Sequence, residues 1–182
     1  MKLATTFLAL LFLALSPQAA PAQTQPSDPL APVAMLAGDW TGIGEGDPGN
    51  SAAFRHGERA HEGRYLRIEG RSVYPRQEKN KKGEVHTQTD WWSYDKSQKH
   101  LILRQFDNLG FVSTYAQDLA ASRPGHIVMV SVQLENVPAG WKARYTYDLI
   151  GDDTYEERFE LDPDGKGFQP YTFNRFLRDR PD

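Results

Sequence analysis

No cysteine occurs anywhere in the 182 residues, and that absence excludes several chemistries together. Disulfide staples, thiolate zinc sites, iron–sulfur clusters, a cysteine nucleophile and a lipid anchor on an N-terminal cysteine all need a sulfur that is not there. Charge of one sign is also scarce. Lys and Arg number 21 against 24 Asp and Glu, a formal net charge of −3, so no basic excess argues for a nucleic-acid partner. No apolar run reaches the about 18 residues of a membrane-spanning helix, and no G-x-S-x-G marks a serine nucleophile. What is present suits a globular domain: 39% hydrophobic, 12% aromatic and 25% charged residues, which excludes low-complexity and collagen-like chains.

The first residues read as an address. Met1-Lys2 is a short positive start, Leu3 to Leu15 is a Leu/Ala/Phe run, Ser16-Pro17 breaks it, and Ala20-Pro21-Ala22 is an A-x-A site. That layout predicts a secretory leader over residues 1–22, and with it an exported, periplasmic or extracellular protein. Residues 23–34, rich in proline and polar side chains, read as a flexible tether. Asp28 to Ala37 could hold one short helix, with Asp28 as its cap and Pro29 at its first position.

Helical periodicity is the next thing missing. Beyond Gly38 the chain alternates apolar and polar residues in short runs punctuated by Gly, Pro, Asn and Asp, the signature of strands and hairpins. The runs are 39–45, 53–61, 65–74, 85–94, 100–106, 111–117, 126–134, 142–150, 154–161 and 169–178. An open sheet of that many strands exposes two edges, and closure removes both. The expected fold class is all-β: a single antiparallel up-and-down barrel of about ten strands with a short N-terminal helix. It would occupy residues 35–182, with a two-sheet sandwich as the structural alternative. No internal repeat points to a propeller or solenoid.

Both ends of that domain carry a resemblance. Leu36-Ala37-Gly38-Asp39-Trp40 sets a short helix before Gly-x-Trp at the first strand, and the chain ends on Tyr171-Thr172-Phe173-Asn174-Arg175-Phe176-Leu177-Arg178. This resembles the calycin barrels, among them lipocalins, fatty-acid-binding proteins and nitrobindin-like heme barrels. The stretch from Gly38 to Gly46 is most similar to the nitrobindin-like first strand. The resemblance implies that Gly38 and Trp40 close the barrel base under an arginine of the last strand, here Arg178. It also implies, by likeness to fatty-acid-binding proteins, that Arg175 with Tyr171 holds a polar head inside. Nitrobindin-like barrels bind heme through a histidine on or next to the last strands. Between Gly167 and Asp182 there is none, so heme is not carried over and no cofactor is expected.

Other motifs reduce to structure. Gly42-x-Gly44-x-Gly46 is followed by the turn residues Asp47-Pro48-Gly49-Asn50 rather than a helix, so it is not a dinucleotide loop. Asp162-Pro163-Asp164-Gly165-Lys166-Gly167 has lysine where a calcium loop needs an oxygen ligand, and reads as a hairpin turn. His56, Glu58 and His61 cluster in sequence, but alternation sets His61 on the opposite face from the other two, a poor metal site. No metal and no catalytic residue is expected.

The aromatics carry the functional expectation. Trp91 and Trp92 must face opposite ways, and Trp92 shares its face with Asp90 and Tyr94. Strand faces repeatedly mix rings with charge, which a dry core avoids and a ligand-holding cavity tolerates. The expected function is non-enzymatic binding of a small apolar or amphipathic molecule, with Glu58, Trp92, Tyr94, Arg104, Tyr115, Tyr147, Tyr171 and Arg175 lining the interior. One rival is a barrel hydrolase or isomerase using Glu58 with a histidine, which requires Glu58 desolvated inside. Another is a structural envelope protein with a filled barrel and an apolar patch outside, at whichever of Trp91 and Trp92 faces out.

Overall fold

A computed structural model describes residues 28–180; the leader read over 1–22 lies outside the described residues, as does the tether up to residue 27. Ten strands follow a short helix: β1 (Gly38–Gly46), β2 (Ser51–Ala60), β3 (Tyr65–Tyr74), β4 (Glu84–Asp95), β5 (His100–Asp107), β6 (Val112–Gln117), β7 (His126–Glu135), β8 (Lys142–Ile150), β9 (Thr154–Asp162) and β10 (Gln169–Arg178). Each pairs with its sequence neighbours, and β1 pairs antiparallel with β10, so the sheet closes on itself. The alternation gives every strand one face to bury, and closure through β1 and β10 buries it while leaving no unpaired edge.

Register decides what lies inside. β1 turns Trp40, Gly42 and Gly44 inward, and β2 turns Ser51, Ala53, Arg55 and Gly57 inward. The inward glycines make room for long neighbours. A Cβ on Gly42 would stand 2.6 Å from the Phe176 ring, and one on Gly44 would stand 2.2 Å from the Asn174 amide oxygen, closer than any real contact.

One end is shut. Trp40 is 1% exposed, its indole N–H donates to the Leu36 carbonyl (3.3 Å), and the Arg178 guanidinium lies 4.1 Å over its ring. Arg178 also donates to the carbonyls of Met35 (2.7 Å), Ala37 (2.8 Å) and Asp152 (3.0 Å). Gly38, at φ +105°, gives that guanidinium its place, because a Cβ there would meet Arg178 Nη1 at 2.6 Å.

The helix differs from its expected form. It is a 3-10 turn over Ala31–Leu36 with Pro32 in its first turn, and Asp28 accepts the Leu30 N–H (2.9 Å) two residues on, before the helix begins. Pro29 and Pro32 remove two backbone donors within four residues, too many for an α-helix of this length. The tether boundary moves as well, since Leu30 and Val33 are fully buried in the core.

Candidate functional site

The middle of the barrel is polar and tightly joined. Arg55 is 5% exposed and its Nη2 donates to Glu157 Oε1 at 3.3 Å. Asn174 donates to the same oxygen at 3.1 Å, and the guanidinium sits 4.9 Å over the Phe176 ring. Asp90, 2% exposed, accepts hydrogen bonds from Gln105 (3.0 Å) and Gln88 (3.1 Å). Burial pushes its carboxyl up to about 6, against the hydrogen bond from Gln105 and the nearby Arg55 charge. Burial works to lower the Arg55 guanidinium, but Glu157, with Tyr155 and Asp90 behind it, carries it above its ordinary value. Around this network Trp92, Tyr115, Tyr147, Tyr155 and Met129 are at most 2% exposed. Arg55 Nε, Trp92 Nε1 and Tyr147 Oη are buried with no protein partner.

The residues expected to line the interior divide by pleat. Trp92, Tyr115 and Tyr147 are inside and buried; Tyr94, half-buried, lies on the inward face near the closed end, and Tyr171, half-buried, lies at the opposite rim. Glu58, Arg104 and Arg175 are corrections: all three are on the outer wall. Glu58 pairs with Arg67 at 2.9 Å, Arg104 donates to Ser93 (3.2 Å), and Arg175, 54% exposed, stands 3.6 Å from Glu156. With Arg55 pointing in, period-two alternation must turn Glu58 out, and an exposed Glu58 removes the acid–base arrangement that a barrel enzyme at that residue needs. Trp91 lies outside, its ring 6.0 Å from His61 and 6.3 Å from Tyr65.

The end opposite Trp40 is the accessible one. An aromatic chain climbs to it from the packed floor: Trp92 to Tyr147 (5.2 Å between centroids), Tyr147 to Tyr145 (5.8 Å), Tyr145 to Phe159 (4.6 Å) and Phe159 to Tyr171 (5.9 Å). Tyr171 reaches this position through a register shift between Pro170 and Thr172 on β10, a bulge where proline contributes no ladder hydrogen bond. Across the mouth, Tyr74 packs on His86 (5.3 Å). A groove of about 670 Å³ runs along the rim, lined among others by Gly46, Asn50, Gln77, Lys79, Phe159 and Tyr171. The β3–β4 loop that borders it carries Arg76, Lys79, Lys81 and Lys82, and is tied to the β1–β2 turn through Gln77 and Asn50 (2.8 Å) and through Lys79 and the Gly46 carbonyl (2.9 Å).

The histidines were not among the residues expected to line the barrel, yet one of them does. His86 shares the inward face of β4 with Gln88, Asp90 and Trp92, opposite the buried Ser72. His56 and His126 are engaged on the outer wall by Asp39 (2.6 Å) and Asp148 (2.5 Å). His100 is on the outward face of β5, and His61 lies in the β2–β3 turn at φ +49°. The signal for His86 was in the sequence: it stands four residues before Asp90 and six before Trp92, on their parity. No group of three or more His, Cys, Asp or Glu side chains able to hold a bare metal ion occurs among the described residues.

Comparison with known proteins follows the same line. A family described as THAP4-like, heme-binding beta-barrel domain matches residues 29–178. Among solved structures, the crystal structure of Rv2717c from M. tuberculosis superposes with a TM-score of 0.59 at 15% identity, covering 86% of this chain and 100% of that one, a likeness of fold. None of the curated proteins compared matches. The family match corrects the expectation of a barrel without a cofactor. The missing late histidine bears on one ligand residue, whereas the match runs over all ten strands of the barrel. The donor set at the mouth fits such a group, because His86 Nε2 is a buried ring nitrogen with no hydrogen-bond partner.

Proposed function

The chain belongs to the THAP4-like heme-binding β-barrel family, and from that membership we propose that it is a non-enzymatic heme-binding protein whose site is the open mouth of the barrel. The observation that carries the reading is the asymmetry of the tube. One end is sealed by Trp40, Arg178 and the N-terminal helix, while the other presents half-buried rings above a filled, polar floor. A planar amphipathic guest of this class needs flat apolar contact and charge for its carboxylates. Phe159 and Tyr171 offer the first, and the cationic residues of the β3–β4 loop offer the second. Bound heme supplies an iron centre whose behaviour toward small gaseous ligands is set by its protein ligand and by the polarity of the pocket.

The polar floor has a role in this reading. Arg55, Glu157, Asn174, Asp90 and Gln105 hold one another in place, so the guest rests on a rigid base and does not sink into the tube. The leader read in residues 1–22 supports an exported protein, and with it binding outside the cytoplasm. Hemin titration of the purified chain tests the reading, following tryptophan quenching and the absorbance of the bound group. The expected result is saturable binding at one equivalent, unchanged in Trp91→Ala on the outer wall. Absence of saturable binding by the folded chain would remove it.

A further inference from the structure

Resting on the heme reading above, we infer that the protein ligand to the iron is His86, supplied by β4, in place of a histidine on the last strand. The inward positions of β10 are committed elsewhere. Asn174 donates to Glu157, Phe176 stacks on Tyr155 with centroids 4.6 Å apart, and Arg178 caps Trp40. Of the five histidines, His86 alone has its ring on the inner wall, and it lies at the open end.

Its chemistry suits the task. A neutral imidazole nitrogen is a good iron ligand, and His86 Nε2 makes no hydrogen bond that a ligand bond would have to break. The Glu84 carboxylate stands 3.3 Å away without forming a hydrogen bond, and at 40% exposure it is free to turn toward solvent. Tyr74, itself 6% exposed, packs against the imidazole and restricts its rotation, so the ring is held before any guest arrives. The other oxygen donor at the mouth is the Tyr171 phenol, and phenolate ligation is known chemistry. Burial and the charges of Asp47 and Glu84 all raise the Tyr171 hydroxyl, which works against the phenolate that ligation needs.

The test reconstitutes the full chain with hemin and compares ferric and ferrous optical and EPR spectra of wild type, His86→Ala, His86→Gln, Tyr171→Phe and His56→Ala, with far-UV circular dichroism on each. The inference expects an imidazole-ligated spectrum in wild type and His56→Ala, and the same ligand signature, whatever the change in affinity, in Tyr171→Phe, which keeps the contact ring and removes only the rival oxygen donor. It expects loss of that spectrum in both His86 variants and its return in His86→Ala on adding free imidazole. An unchanged spectrum in folded His86→Ala or His86→Gln overturns the assignment of His86 and leaves heme binding standing. Failure of wild type to bind hemin overturns the heme reading itself, and the ligand assignment with it.

Discussion

Replacing Arg55 with Met removes the cation from the barrel floor and leaves its carboxylates behind. The side chains of Arg55 and Glu157 are 4% and 5% exposed, so water does not screen the charge that remains. Asn174 would still donate to Glu157, but one hydrogen bond from a neutral amide does not offset a buried carboxylate, and breaking such a pair costs about 3–5 kcal/mol. That is a large part of the about 5–15 kcal/mol that holds a domain together. The floor has two carboxylates and one guanidinium, so the two single changes are unequal. Glu157→Gln leaves Arg55 close to Asp90, and its cost is about half that of Arg55→Met or less. The double variant Arg55→Met/Glu157→Gln removes both charges, keeps the Asn174 contact, and recovers about 2 kcal/mol or more relative to the sum of the singles. Urea unfolding at pH 7 reads these values, with Trp40 and Trp92, both at most 1% exposed, as fluorescence reporters. A cost for Arg55→Met below about 1 kcal/mol, or singles that simply add, would refute the claim that this pair is a desolvated unit.

Three further substitutions probe the same architecture. The Asp90 carboxyl is raised from 3.8 to about 6 by burial, so the folded state pays nothing for it below pH 4 and the full penalty, about 3 kcal/mol, above pH 6. Denaturant titrations should therefore show wild type losing stability relative to Asp90→Asn as pH rises from 4 to 6, and parallel profiles would contradict this. Gly44→Ala drives a Cβ to 2.2 Å from Asn174 Oδ1 and 2.6 Å from Ser51 Oγ; it should destabilise by about 1–3 kcal/mol in thermal unfolding, and a neutral change would show the strand has room to move. Arg178→Ala loses three carbonyl contacts and the cover on Trp40, and should cost about 2–3 kcal/mol while amide exchange over Ala31–Leu36 quickens; unchanged exchange there would mean the guanidinium does not hold the helix.

Much of the barrel can be read before any coordinates, because its determinants are local. Three strands, 65–74, 142–150 and 169–178, begin and end where alternation and turn residues place them, and the rest differ by one or two residues at one or both ends. Closure is favoured by the same local facts, since it removes both edges of a helix-poor ten-stranded sheet where a two-sheet sandwich leaves edges to protect. The N-terminal helix was legible as an element but not as a type. The choice between α and 3-10 turned on which proline lay inside it, and Leu30 and Val33 look like tether until a core exists to bury them.

The site was harder because it depends on which of several arginines faces in, and parity within one strand does not settle that. Arg55, Arg104 and Arg175 each sit on an alternating strand, and each shares its parity with residues that suit a cavity. What separates them is volume supplied by other strands. The inward neighbours of Arg55 on its own strand are Ala53 and Gly57, and Gly70 across β3 lies so close that a Cβ would stand 3.2 Å from its Cδ. Arg104 and Arg175 alternate instead with the buried Leu103, Gln105, Asn174 and Phe176, which already fill the space inside their strands. A guanidinium therefore enters this barrel where glycine and alanine cluster, and stays outside where its immediate neighbours are large. The same reasoning sets His86 inside: Trp92 and Asp90 fix the inward parity of β4, and at the open end nothing bulkier competes with an imidazole resting on Tyr74.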